Sequence, residues 1–137
     1  MKSFKKRILA AGIALAVVAS IGGATVFASI YSPQTTDPST ICGYGVTGKS
    51  DVKYNTAYAY TSYGGYADTV SVESTYIYYD NVHRIHKTET KRNGHYRSAR
   101  VEFTVPAGCT SISISSNHYL SKGGQRWYAE TYDNNQA

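Results

Sequence analysis

The stretch HRIHKTETKRNGHYR, residues 83 to 97, holds three of the four histidines and five of the fourteen Lys and Arg residues of the chain. Such residues can do three things. Imidazoles bind metal ions, cationic groups neutralise an anionic surface, and a charged strand keeps the edge of a sheet from pairing with a neighbour. Side-chain direction decides among them. A spacing of three would put His83 and His86 on one face of a helix, but strand residues alternate, so in a strand the two imidazoles point to opposite sides and cannot chelate one ion. No other Cys, Asp or Glu spacing resembles a metal site, and no cofactor is expected.

The turn in KRNGH sets the register of the strands around it. A two-residue Asn93-Gly94 turn would oppose Lys87 to Arg100 and Arg84 to Phe103. A three-residue Arg92-Asn93-Gly94 loop, with Gly94 in a left-handed bulge position, opposes Lys91 to His95, Glu89 to Arg97, Arg84 to Glu102, Ile85 to Val101 and His83 to Phe103. Matched charges and apolar partners each contribute roughly 0.2 to 1 kcal/mol, so the second register is expected. It turns Ile85, Ala99, Val101, Phe103 and Val105 inward and Arg84, His86, Thr88, Arg100 and Glu102 outward. The expectation is a solvated edge hairpin, locally cationic from Arg84 to Arg100 with only Glu89 to offset it. Arg84, His86, Arg97 and Arg100 are its candidate contacts to an anionic envelope polymer or a membrane surface.

Tyrosine supplies the second kind of chemistry. Tyr54, Tyr58 and Tyr60 share one face of a strand by even spacing, and Tyr76 and Tyr78 share a face of the next. A row of exposed rings can stack on the apolar C–H faces of sugars, so these five are candidate glycan contacts. The same residues also suit a half-buried strand that keeps its hydroxyls wet. In the last hairpin Gly123-Gly124 suits a two-residue turn that pairs Lys122 with Gln125 and Leu120 with Trp127. Ile112, Ile114, His118 and Leu120 then face the core with Trp127 and Ala129, and His118 reads as a structural histidine bonded to a carbonyl or hydroxyl. Nucleophile elbow, His-Glu-x-x-His, phosphate loop and dinucleotide fingerprint are all missing. A Glu102 and Glu130 pair would act on a glycoside only by meeting across a cleft. An enzyme is not expected.

These residues need a scaffold. Lys2, Lys5, Lys6 and Arg7, the uncharged stretch from Ile8, and Val26-Phe27-Ala28 read as a signal peptide over 1–28, with an uncleaved membrane anchor as the alternative. Four of fourteen basic residues fall in that segment and none of the nine acids does, so ten minus nine leaves +1 for the remainder. That balance argues against nucleic acid as a partner. Secretion makes a Cys42–Cys109 disulfide the default pairing of the two cysteines, stabilising by on the order of 4 kcal/mol. Residues 29–41, rich in Ser, Thr and Pro, read as a linker, 42–133 as one domain and 134–137 as a tail.

Within 42–133, Tyr, Val, Ile and Thr recur with period two between Gly, Asn and Asp clusters. The class is all-β: one small antiparallel sandwich of about seven strands, with a partly open barrel as the alternative. Their expected spans are Tyr44 to Thr47, Lys53 to Tyr63, Ala67 to Tyr79, Val82 to Lys91, His95 to Val105, Thr110 to Leu120 and Gln125 to Tyr132.

CGYGV at Cys42 to Val46, followed by small polar and tyrosine residues, is similar over about five residues to the opening of lactococcin-type bacteriocins. Those are exported all-β antimicrobials, and the cysteine pair departs from their pattern. The functional expectation is a secreted, non-enzymatic binding protein at the bacterial cell envelope or on an extracellular glycan or anionic polymer. A secreted antimicrobial or toxin is the alternative that the resemblance implies, and a small hydrolase comes after both.

Overall fold

The computed structural model describes residues 34–135. The segment read as a signal peptide, the start of the segment read as a linker and the last residues of the tail lie outside them. Alternation of small or apolar with polar side chains builds nine strands: β1 (Gln34–Thr35), β2 (Ser39–Ile41), β3 (Tyr44–Val52), β4 (Thr56–Tyr63), β5 (Thr69–Asp80), β6 (Ile85–His95), β7 (Ser98–Thr104), β8 (Cys109–Lys122) and β9 (Gln125–Asn134). On β4, for example, Ala57, Ala59, Thr61 and Tyr63 are buried while Thr56, Tyr58, Tyr60 and Ser62 face out. A period of two is what a strand needs to bury one face.

Two open antiparallel sheets result, and neither closes into a barrel. One has five strands in the order β1-β3-β4-β7 with β2 also on β3, and the other has four in the order β6-β5-β8-β9. The expected sandwich is therefore present, and the segment read as linker contributes its two extra strands, β1 and β2. Both pair with β3, and the Tyr63 hydroxyl fixes β2 by donating to the Ile41 carbonyl at 2.7 Å. Small residues on one sheet accommodate large ones on the other: Ala57, Ala59 and Ala99 of the five-stranded sheet share the core with Tyr76, Ile114, Leu120 and Trp127 of the four-stranded one.

A polar chain crosses this core. Thr61 Oγ1 donates to the Ser71 carbonyl at 2.8 Å, so its oxygen accepts from His118 Nδ1, also at 2.8 Å. A neutral ring then accepts at Nε2 from the Thr131 hydroxyl at 2.8 Å. Thr131 Oγ1 is 2.5 Å from Ser50 Oγ, which is 2.7 Å from Ser116 Oγ, and Ser116 is 2.7 Å from Ser74 Oγ. His118 is thus a structural histidine on hydroxyl partners, as expected, and burial lowers its pKa to about 3. These buried polar contacts link side chains from β3, β4, β5, β8 and β9 and so tie the two sheets together.

The β8–β9 hairpin has the register expected from Gly123-Gly124, with Lys122 opposite Gln125, Leu120 opposite Trp127 and His118 opposite Ala129. Both glycines have positive φ, 56° and 84°, as the favoured two-residue hairpin turn requires. Ile112 alone leaves the expected inward set. The β5–β8 register shifts between Ile77 and Tyr78, which leaves Ile112 unpaired with β5 and only partly buried.

Three expectations are overturned. First, β6 and β7 do not form a hairpin at Asn93-Gly94. β6 runs on to His95 as the partner of β5, from Asp80 opposite Ile85 to Val70 opposite His95, while β7 crosses to the other sheet and pairs with β4. The reversal comes earlier, at Asn81 to Arg84. There Asp80 accepts from the backbone of Val82 and His83 and contacts the His83 ring, and Arg84 takes a φ of 62°. Hydrogen bonds from His83, backbone then ring, hold the Asp80 carboxyl far below the usual carboxylate range.

Second, Ile85 is not in the core. It is 49% exposed on an edge strand that is exposed along nearly its whole length. Third, the two cysteines are unpaired. Cys42 Sγ lies against the Lys122 carbonyl at the end of β8, whereas Cys109 begins that strand. Thirteen residue steps of roughly 3.3 Å put them on the order of 40 Å apart, and a disulfide needs Cα atoms within about 7 Å.

Candidate functional site

The outward side chains of the five-stranded sheet form the arrangement best suited to recognition. Tyr58 and Tyr60 project from β4, with Asp51 and Lys49 as their partners on β3 and Glu102 and Arg100 as their partners on β7. The two tyrosine rings lie at 6° to each other with centroids 6.2 Å apart. The Arg100 guanidinium sits 4.1 Å from the Tyr58 centroid and its Nε donates to Glu102 at 2.6 Å. Lys53 reaches Asp51 at 3.4 Å. The face therefore offers fixed aromatic surface flanked by hydrogen-bonding groups whose charges are already matched.

The other candidate residues are dispersed. Tyr76 is in the core, its hydroxyl 2.6 Å from Ser111 Oγ and its ring 4.9 Å from that of Phe103, and Tyr78 packs beside it on the same inner face. Tyr54 precedes β4 in a loop and is 64% exposed. Arg84 occupies the β5–β6 turn, His86 packs its ring edge-on to Tyr79 on the four-stranded sheet, and Arg97 lies over Tyr66 between β6 and β7. The six basic residues thus divide between two sheets and two connections. Three of them have acidic neighbours: Lys87 with Asp80, Lys91 with Glu89 and Arg100 with Glu102.

Part of the basic stretch has a structural task instead. β7 is the edge of its sheet, and β6 lies beside it at the edge of the other. Lys91 Nζ donates to the Glu102 carbonyl at 2.7 Å and Asn93 Nδ2 to the Arg100 carbonyl at 3.0 Å, while the Lys91 ammonium lies 5.1 Å from the Phe103 ring. Side chains of one edge thereby cover backbone acceptors of the other, which blocks further strand pairing.

The outward face of the four-stranded sheet carries groups that even spacing on single strands did not reveal. Tyr119 opposes Tyr128, and in the next row Arg92, Glu73, Asn117 and Glu130 follow one another across four strands. Burial raises the Glu130 carboxyl to about 7, and its Oε1 has no hydrogen-bond partner. Burial, then the charges of Glu130 and Glu73, push the Tyr128 hydroxyl upward. The Gly123-Gly124 register already sets Tyr119 against Tyr128, so this pair was readable once the hairpin was extended. Glu102 and Glu130 face outward from different sheets and do not form a pair. Among the described residues no group of three or more His, Cys, Asp or Glu side chains is placed to hold a metal ion.

Comparison with protein-family models, curated proteins and solved structures finds no match for this chain.

Proposed function

We propose that this is an exported, non-enzymatic binding protein that holds a glycan of the cell envelope or its surroundings on the outer face of the five-stranded sheet. The parallel Tyr58 and Tyr60 rings carry this reading. Two rings fixed by their strand and by Arg100 lose little freedom on binding, so stacking against successive sugar C–H faces is not offset by ordering of the site. Lys49, Arg100 and Glu102 flank the rings as cross-strand neighbours able to hydrogen-bond a stacked sugar, whereas Asp51 is buried. The internal pairing of Arg100 with Glu102 and Lys53 with Asp51 favours an uncharged glycan over an anionic polymer.

Retention on purified cell walls and on insoluble neutral polysaccharides, at low and raised salt, tests this. The expected result is retention that persists when salt is raised. Retention only at low salt would transfer the role to an anionic polymer, because exposed charges are screened within about a Debye length. No retention, with growth inhibition of a competing strain, would replace the reading by the antimicrobial one.

A further inference from the structure

We propose that copies of this chain associate end to end, with the Cys42 pole of one copy against the Cys109 pole of the next, and that a disulfide between those two thiols locks each junction. The distribution of exposed apolar side chains carries the inference. Among the described residues the large hydrophobic side chains left exposed are Tyr44, Tyr54, Tyr66, Val82, Ile85 and Tyr96. None is on the broad outer face of either sheet.

Tyr44, Tyr66 and Tyr96 gather at the Cys42 pole. Tyr44 follows the Cys42-Gly43 turn, Lys122 donates to the Tyr66 carbonyl, and the Tyr96 carbonyl accepts from Ala67 at 2.8 Å. Tyr54, Val82 and Ile85 gather at the other pole. Ile85 and Cys109 both oppose Asp80, Val82 approaches Gly108, and the Tyr54 carbonyl accepts from Ser111 at 3.1 Å. Each pole thus holds one thiol and three exposed apolar side chains, and such patches mark contact surfaces.

The backbone at Cys42 fixes where its thiol stands. Cys42 has a φ of 49° and Gly43 of 85°, in a two-residue turn between Ile41 and Tyr44. That turn favours Asn or Gly at both central positions, and a cysteine there is disfavoured by about 1 kcal/mol. The residue is held at the tip of a hairpin with its thiol exposed. A second copy is the occupant that uses both poles, because a disulfide needs a thiol from each side and the partner thiol within the chain is out of reach. Contact between different poles is head-to-tail, and with the two poles at opposite ends of β8 it leaves a free pole at each end and extends into a chain of copies.

Area decides how strong the contact is without the bond. Three half-exposed side chains a side offer on the order of 700 Å² in total, below the roughly 1,200 to 2,000 Å² of stable interfaces. Association of the reduced protein is therefore weak and transient, and the disulfide makes it lasting. In each junction the two Sγ–H groups form one S–S bond. The two protons and two electrons pass to a low-molecular-weight disulfide, which is reduced to two thiols.

The test is non-reducing electrophoresis of the purified full chain after exposure to oxidised glutathione, with Cys42→Ser, Cys109→Ser and an equimolar mixture of the two. Thermal melts establish that each variant is folded. The wild type is expected to give a ladder that collapses on reduction. Each variant alone stays at least tenfold depleted in covalent dimer, and the mixture gives dimer and nothing larger. A wild type that remains monomeric, whether with free thiols or with an internal disulfide, overturns the proposal. So does efficient dimerisation of either single variant, which would mean that like poles meet.

Discussion

Gly48 on β3 faces His118 on β8 so closely that a Cβ at residue 48 would lie 2.5 Å from the imidazole Cγ. The ring cannot withdraw, because both of its nitrogens are held by threonines on two other strands, Thr61 and Thr131. A methyl group here forces apart the two sheets or breaks one of these bonds. Gly48→Ala is expected to cost about 2 to 4 kcal/mol, read as a lower midpoint in chemical denaturation with little change in slope. A variant as stable as wild type would mean that the ring is free to move.

The same burial predicts how His118 titrates. Its pKa in the fold, about 3, is lower than the unfolded value of 6.5, so the unfolded chain binds the extra proton first. The contribution of this residue to stability is present above pH 6.5 and is lost as pH falls toward 3, at on the order of 1.4 kcal/mol per pH unit. NMR of the ring should find it neutral at pH 5 while the protein remains folded. A ring titration midpoint near 6.5 in the folded protein would contradict the network.

Asp133 carries the opposite sign. Burial, opposed by the Val52 amide that donates to Oδ2 at 2.8 Å, raises its carboxyl to about 7, and Oδ1 has no partner. The protonated form is favoured by the fold, so its contribution is present below pH 3.8 and is lost as pH rises through 7. Asp133→Asn preserves an acceptor for Val52 and removes the ionisation. The melting temperature of the variant should exceed that of wild type at pH 8 by several degrees and match it near pH 4. A deficit at pH 8 would show that the charged form is the one the fold needs.

How far the sequence reached is clearest in two glycine turns. At Gly123-Gly124 the flanking strands are sequential neighbours in one sheet, so local turn chemistry and tertiary pairing agree and the register follows. At Asn93-Gly94 the same chemistry is outweighed, because β5 offers β6 eleven consecutive partners from Asp80 to Val70. The turn that does form, closed by Asp80, has Arg84 in the left-handed region where Gly or Asn is usual. Inward faces of β4, β7 and β9 were legible from alternation. The division of basic residues between two sheets, the core position of Tyr76 and the separation of the cysteines depend on sheet order, which periodicity does not encode.

One substitution distinguishes the observed strand order from a β6–β7 hairpin. Ile85→Asp in the observed fold places a charge at a half-exposed edge and should cost less than about 1 kcal/mol, whereas Val101→Asp buries a charge and should unfold the protein. Comparable large losses in both variants would put Ile85 back in the core.

The tyrosine pair is the centre of the proposed glycan site, and retention of Tyr58→Ala/Tyr60→Ala on purified cell walls or an insoluble neutral glycan measures its role. Both rings lie outside the core and should leave the fold intact, as checked by an unchanged circular dichroism spectrum. Retention is expected to fall at least tenfold at both low and raised salt, with a Tyr119→Ala/Tyr128→Ala variant on the opposite sheet retained like wild type. Wild-type retention by the Tyr58/Tyr60 double variant would contradict the assignment of the glycan to this face.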